Sequence, residues 1–247
     1  MTVDDRKDIH NSDIPLVCRS CEARHGGICG ALNPEQLLEL SRHTKRTAHS
    51  KDADLDATSQ DPATYSNILG GVVKLMKLMP DGRQQIVGLQ FAPDFLGRPF
   101  STSSDIVAEA ATEVRLCSFP KTVVEKFIRE TPEMEHRLHV QHMRELDEAR
   151  EWMLTLGRKN ALEKVASFIS MLVSHIDPDH IGETSQIEIT LPLKRADIAD
   201  FLGLTIETVS RQVTNLRKKG VISVTDRKSI LVTDTHQLEL IANQGAD

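Results

Sequence analysis

The spacing of apolar residues changes character along this chain. From Ile68 to Phe119 it follows a β pattern. Val72-Val73-Lys74-Leu75-Met76-Lys77-Leu78-Met79 reads as a strand, Pro80-Asp81-Gly82-Arg83 as a tight turn, and Gln84 to Phe91 as the returning strand. Pro93-Asp94 and Gly97-Arg98-Pro99 mark further corners, and Ile106 to Phe119 gives two more short strands, so a small antiparallel sheet or barrel is predicted. From Met134 the spacing turns helical. Met134, Leu138, His142, Leu146, Ala149, Met153 and Leu156 recur every three or four residues, which predicts a helix of roughly 25 residues starting near Pro132. Such a helix can pack on its own domain, but its length overhangs a small one. Its stripe is therefore read as a two-helix dimer seam built on Met134, Leu138, Leu146, Ala149, Met153 and Leu156.

A second helix follows, with Ala161, Val165, Phe168, Ile169 and Leu172 on one face and Asp177-Pro178 at its end. Ile187 to Leu191 reads as a strand. Ala196 to Leu202 and Ile206 to Lys218 read as helices joined by Gly203-Leu204-Thr205, with Gly220 as a cap. Val221 to Val224 and Ser229 to Val232 flank Asp226-Arg227-Lys228, a hairpin that makes the unit a winged helix-turn-helix. Toward the N-terminus, residues 1–17 are polar. Asn33 and Pro34 look like the cap and first position of a short helix with Leu37, Leu38 and Ser41 facing inward. Residues 47–66 show no clear period, and the predicted divisions are 1–30, 31–131, 132–160 and 161–247.

Apolar content of 39% and charged content of 27% over 247 residues fit a globular protein. No run approaches the roughly 20 apolar residues of a membrane span. The charged N-terminus lacks the apolar core of a secretory signal, so a cytoplasmic location with no membrane partner is expected. The net charge of −6 conceals a local +4 between Lys194 and Lys228, which leaves −10 for the rest. One basic patch on an acidic protein suits local binding of double-stranded DNA.

The two helices around Gly203 give that patch a reading element. Glu207, Ser210 and Arg211 stand at i, i+3 and i+4, so they share a face near the start of the second helix, where it would enter the major groove. Glu accepts from cytosine N4 and Arg grips guanine O6 and N7. Thr205, Thr208 and Gln212 are placed to reach phosphates. The plainer alternative is a surface ion pair between Glu207 and Arg211.

Four cysteines carry the remaining chemistry. Cys18, Cys21 and Cys29 lie within twelve residues, around Gly26-Gly27, and Cys117 stands 88 positions further on. Outside an oxidising compartment, such a set points to metal or redox chemistry. Four thiolates suit an iron–sulfur cluster, or structural zinc, with His25 as a possible fourth ligand in a Cys3His site. The single Cys-x2-Cys and the distant Cys117 disfavour zinc, and unligated thiols are the third alternative. His136, His139 and His142 share a helical face and are read as solvated or seam positions rather than ligands.

The run Ala196-Asp197-Ile198-Ala199 through Leu202-Gly203-Leu204-Thr205-Ile206-Glu207-Thr208-Val209-Ser210-Arg211 resembles the Crp–Fnr superfamily. Its Glu-x-x-Ser-Arg is similar to the fumarate–nitrate reduction regulator branch, close to α-proteobacterial members. The resemblance runs from Cys18 to about residue 235. It implies an α+β fold: an N-terminal cysteine loop, a cyclic-nucleotide-binding-like β-roll, a long dimerisation helix and a C-terminal winged helix-turn-helix. It further implies a [4Fe–4S] cluster on Cys18, Cys21, Cys29 and Cys117, converted to [2Fe–2S] by oxygen with loss of the dimer. The homodimer is expected to read a TTGAT-N4-ATCAA-like palindrome through Glu207, Ser210 and Arg211 and, mainly as an activator, to contact RNA polymerase. Met79 to Arg83 is the candidate surface for that contact. The seven-residue gap between Cys21 and Cys29 is longer than the enterobacterial pattern. The family's cyclic-nucleotide branch has Gly-Glu-Leu and Arg-Ser where this chain has Gly97-Arg98-Pro99 and Ser103-Ser104, so no cyclic nucleotide is expected. Residues 48–63 depart from the family's apolar strand. An enzyme is not expected, since no phosphate-cradling glycine loop or nucleophile elbow is present. A metal-free, ligand-sensing repressor is the remaining rival.

Overall fold

The computed structural model describes residues 14–55, 64–100, 105–176, 186–226 and 229–243. Two short helices, α1 (Leu16–Arg19) and α2 (Glu22–His25), and a 3-10 turn at Ile28–Ala31 carry the N-terminal cysteines, where the pattern gave only a loop. In α3 (Pro34–Ser41), Asn33 caps as expected. It accepts from Gln36 N at 2.8 Å, and its own N–H donates to Gln36 Oε1. Leu37 and Leu40 face the core, whereas Leu38 is exposed.

The β-roll begins earlier than the apolar pattern indicates. β1 (Lys45–His49) and β7 (Val114–Pro120) are antiparallel, and β2 (Thr64–Gly70) pairs with the other edge of β7. With β5 (Phe95–Leu96) the sheet order is β1-β7-β2-β5. The expected hairpin forms β3 (Val72–Leu78) and β4 (Gln84–Phe91), and β6 (Ile106–Ala110) completes a second sheet ordered β4-β3-β6. A helix absent from the pattern reading, α4 (Lys121–Glu130), buries Val124, Phe127 and Ile128. The long helix α5 (Pro132–Arg158) has 27 residues.

The C-terminal half follows the predicted winged helix-turn-helix closely. It contains α6 (Ala161–Ile176), β8 (Ile187–Thr190), α7 (Arg195–Leu202), α8 (Ile206–Lys218), β9 (Ile222–Val224), β10 (Ser229–Val232) and an additional α9 (Thr235–Asn243). The wing sheet is ordered β8-β10-β9. Asp177-Pro178, Ser103-Ser104, Arg227 and Lys228 lie outside the described residues, as does the second half of the 48–63 stretch.

Two compact units result. One runs to Leu78 and resumes from Gly88 to Leu146. The other joins Met79–Val87 to the chain from Asp147 onward. In the first, Phe95, Phe119, Phe127, Met134 and Leu138 share a core with Cys29 and Cys117. In the second, Phe201 packs edge-on against Trp152 at 4.5 Å and Phe168 at 5.8 Å between ring centroids. No described helix is long and apolar enough to cross a membrane.

Candidate functional site

The cysteine segment lies on one face of the β-roll, and strand register explains how the distant Cys117 joins it. Cys117 is in β7, directly opposite Arg46 of β1 and Asn67 of β2. Paired residues in antiparallel strands point to the same face. Arg46, Cys117 and Asn67 therefore form one row across the sheet. All four cysteines line a single cavity with that row, closed by the apolar Leu37, Leu40 and Phe119. Asn67 Nδ2 donates to Cys29 Sγ at 3.2 Å, and Arg46 hydrogen-bonds Cys117.

Burial sets the electrostatics of these thiols. It pushes Cys29 far above the ordinary thiol range, a neighbouring Cys117 thiolate would push it further, and the Asn67 hydrogen bond opposes both. Burial raises Cys117 to about 11 against the pull of Arg46, and raises Cys18 with a contribution from Cys21. Without a cation to hold the thiolates, the protonated forms are favoured, so a metal group entering the cavity would displace protons. Among the described residues, no three His, Cys, Asp or Glu side chains converge on a single-ion site. His25 is exposed and does not line the cavity, and His136, His139 and His142 line a separate open groove beside Phe100.

Close packing ties the cysteine segment to the long helix. Arg137 Nη1 donates to Gly27 O at 3.5 Å and lies 2.7 Å from where a Cβ on Gly30 would sit. A Cβ on Gly27 would stand 2.9 Å from Pro93 O and one on Gly30 2.7 Å from Arg24 O, both backbone atoms, so both positions require glycine. Beside Pro93, Asp94 pairs with Arg144, and Gln141 both donates to and accepts from the Phe95 backbone at 3.1 and 3.0 Å. The first half of α5 is thus keyed to the β-roll by polar bonds, the Gln141 pair buried and the Arg144 pair part-exposed.

In the second unit, Gly203 ends α7 with φ of 60°, the left-handed conformation glycine adopts without strain. Thr205 then caps α8, accepting from Thr208 N at 3.2 Å. Val209, Val213 and Leu216 bury one side of α8, which leaves Glu207, Ser210 and Arg211 exposed together. Arg211 donates to Thr208 Oγ1 at 3.4 Å, and no described ion pair joins it to Glu207. A hydrogen bond from its own backbone N–H, and another with Thr205, hold the Glu207 carboxyl below its usual range. Gln212 is half-buried and accepts from Asn215 at 2.8 Å. Thr205 and Gln212, read from sequence as phosphate contacts, thus have structural partners inside the fold. The pattern reading missed Ile206, which is 47% exposed at the start of α8, and Arg217 and Lys218, which extend the basic end of the helix.

Residues 163–241 match the Crp-like helix-turn-helix domain. A probable transcriptional activator of Rhizobium leguminosarum bv. viciae is 52% identical over 95% of this chain and 96% of its own length. The chain belongs to the Crp–Fnr family. Another Crp–Fnr relative, the transcriptional activator protein FnrL of Cereibacter sphaeroides, is 34% identical over 95% of this chain and 96% of the relative. Among solved Crp–Fnr structures, FixK2 of Bradyrhizobium japonicum superposes with a TM-score of 0.71 at 27% identity, covering 82% of this chain and 99% of that one. The chain is thus a transcriptional activator of this family, and its helix-turn-helix implies DNA binding.

Crp–Fnr regulators act as dimers, which makes the surface of α5 important. Met134 and Leu138 do not belong to a seam. They are 0% and 6% exposed and lie in the core of their own unit. Each four-residue step rotates a side chain by about 40° around a helix. Three such steps from Met134 carry the stripe from core to solvent at Leu146. Leu146, Ala149 and Met153 are exposed, as are Val140, Met143 and Leu154, while Leu156 is half-buried. Met79–Arg83 forms the expected turn, with Arg83 paired to Asp81 at 2.8 Å. It is anchored within the second unit by Gln84 to Asp200 at 2.9 Å and Gln85 to Phe201 O at 3.1 Å.

Proposed function

We propose that this Crp–Fnr activator is oxygen-responsive, controls anaerobic and microaerobic genes, and holds a [4Fe–4S] cluster through Cys18, Cys21, Cys29 and Cys117. The observation that carries the reading is the common cavity reached by three thiols from the cysteine segment and one from β7. The donor set is four soft thiolates, which suits iron–sulfur chemistry. Bound there, the cluster would supply oxygen-sensitive iron–sulfur bonds.

The chain's own residues do the rest. Cys29 and Cys117 join the cysteine segment to β7. Gly27 and Gly30 bring the segment onto Arg137, while Arg144 and Gln141 hold the same helix to the strand-β5 corner. Order in the segment is thereby linked to the helix that presents Val140, Met143, Leu146 and Met153 to a second copy. A dimer sets two α8 helices against successive major-groove faces of a TTGAT-N4-ATCAA-like palindrome. Glu207, Ser210 and Arg211 read bases there, Ile206 meets a thymine methyl, and Thr208 supports Arg211. The Met79–Arg83 turn is the candidate contact for RNA polymerase, and the working location is the cytoplasm. The test is Cys117→Ser in DNA-binding assays with and without air. Loss of the anaerobic binding is expected. Oxygen-dependent binding retained by this variant refutes the assignment.

A further inference from the structure

The Arg46–Cys117–Asn67 row has a property that the fold does not require. Asn67 is 1% exposed, and its Oδ1 is buried without a hydrogen-bond partner. An unsatisfied buried acceptor weakens a fold, and an apolar side chain of the same volume would avoid that cost. Other positions on the strand show the alternatives, since Ile68 is apolar and fully buried and Tyr65 satisfies its hydroxyl on Glu125 at 2.9 Å. What Asn67 does is donate Nδ2–H to Cys29 Sγ at 3.2 Å. Arg46, on the other side of Cys117 in the same row, hydrogen-bonds that second sulfur. Two ligand sulfurs, one from the cysteine segment and one from the sheet, thus each have an N–H donor.

We propose that Asn67, with Arg46 in a lesser role, is a tuning residue for the metal group of this cavity, setting its reduction potential and its lifetime in air. The inference rests on the cluster reading above and adds how the protein adjusts it. An N–H···S bond draws on negative charge at sulfur and is strongest when the metal group is reduced, so the donor raises the potential. Oxidation weakens the acceptor and loses part of the bond. Asn67 therefore favours the reduced group and slows its oxidation by air. Because Asn67 is enclosed, its bond is unscreened by water. Arg46 belongs to an exposed edge strand, and its influence is correspondingly diluted.

The experiment compares wild type with Asn67→Leu and Asn67→Asp, which keep the branched side-chain shape and remove the donor. All are loaded anaerobically and compared per iron bound. The readouts are the midpoint potential and the rate at which the visible band bleaches in air. Loss of one hydrogen bond of ordinary strength corresponds to about fivefold in the redox equilibrium, with tenfold equal to 59 mV for one electron. Asn67→Leu is expected to lower the potential accordingly and bleach several-fold faster, with Asn67→Asp further in the same direction because it places a carboxylate beside sulfur. A role in folding alone would move thermal stability and leave the potential of the loaded fraction unchanged. Wild-type potential and bleaching rate in a loaded Asn67→Leu protein would overturn the inference and leave the cluster reading standing. Wild-type protein that binds no iron would overturn both.

Discussion

Truncating Met153 tests which face of the long helix meets a second copy. The side chain is 73% exposed in the single chain. Burying a whole Met side chain contributes about 1.5–3 kcal/mol, so the exposed share is about 1.1–2.2 kcal/mol. A homodimer carries the change twice, giving about 2–4 kcal/mol lost in Met153→Ala, or a dimer dissociation constant about 30- to 1,000-fold weaker. The matched control is Met134→Ala, at a residue with 0% exposure inside the core of the first unit. That variant should lose about 2–5 kcal/mol of folding stability while its folded fraction dimerises normally. Sedimentation equilibrium on anaerobically purified protein, with urea unfolding alongside, separates the two effects. Unchanged dimerisation in Met153→Ala, or a folding penalty from Met153→Ala equal to that of Met134→Ala, would refute the assignment of faces.

Arg211→Ala should remove about 1–3 kcal/mol of discrimination in each half-site, and Arg211→Lys should recover little of it because the bidentate fork is lost. Binding curves on operators with the G·C pair replaced would measure this. In the metal-free protein the Cys117 thiol is raised from its usual 9.0 to about 11. The fold therefore favours the protonated form, and the unfolded chain ionises first. This contribution is intact below about pH 9 and lost as pH climbs through 11, with a ceiling of about 3 kcal/mol. Urea midpoints of the apo protein at pH 8 and pH 10.5 should fall with pH, less steeply in Cys117→Ser.

The residues that were legible in the sequence are those whose geometry is local. Gly203, Thr205 and the spacing of Val209 to Leu216 place α8 almost to the residue, because a left-handed cap, an N-cap and a helical period are all written within one stretch. The β1 strand was illegible for the opposite reason. Lys45-Arg46-Thr47-Ala48-His49 lies at a sheet edge with no buried face, so no apolar alternation marks it. In α4, Val124, Phe127 and Ile128 do carry a helical spacing. The helix follows Pro120 without a side-chain cap, however, and nothing separates it from the preceding strand. The stripe on α5 is visible in the sequence, but a period does not tell whether an apolar residue faces its own core or a partner, and Met134 and Leu138 face the core. Cys117 was singled out by its residue type. Its neighbours Arg46 and Asn67 depend on strand register, and register is fixed only when β1, β7 and β2 pair.

The most direct test of the central claim is the visible absorption and iron content of wild-type protein purified without air, followed by admission of air. A broad thiolate-to-iron band, about four irons per chain and bleaching within the aerobic exposure are expected, all lost in Cys117→Ser. Colourless protein, or protein holding zinc in place of iron, would contradict that claim.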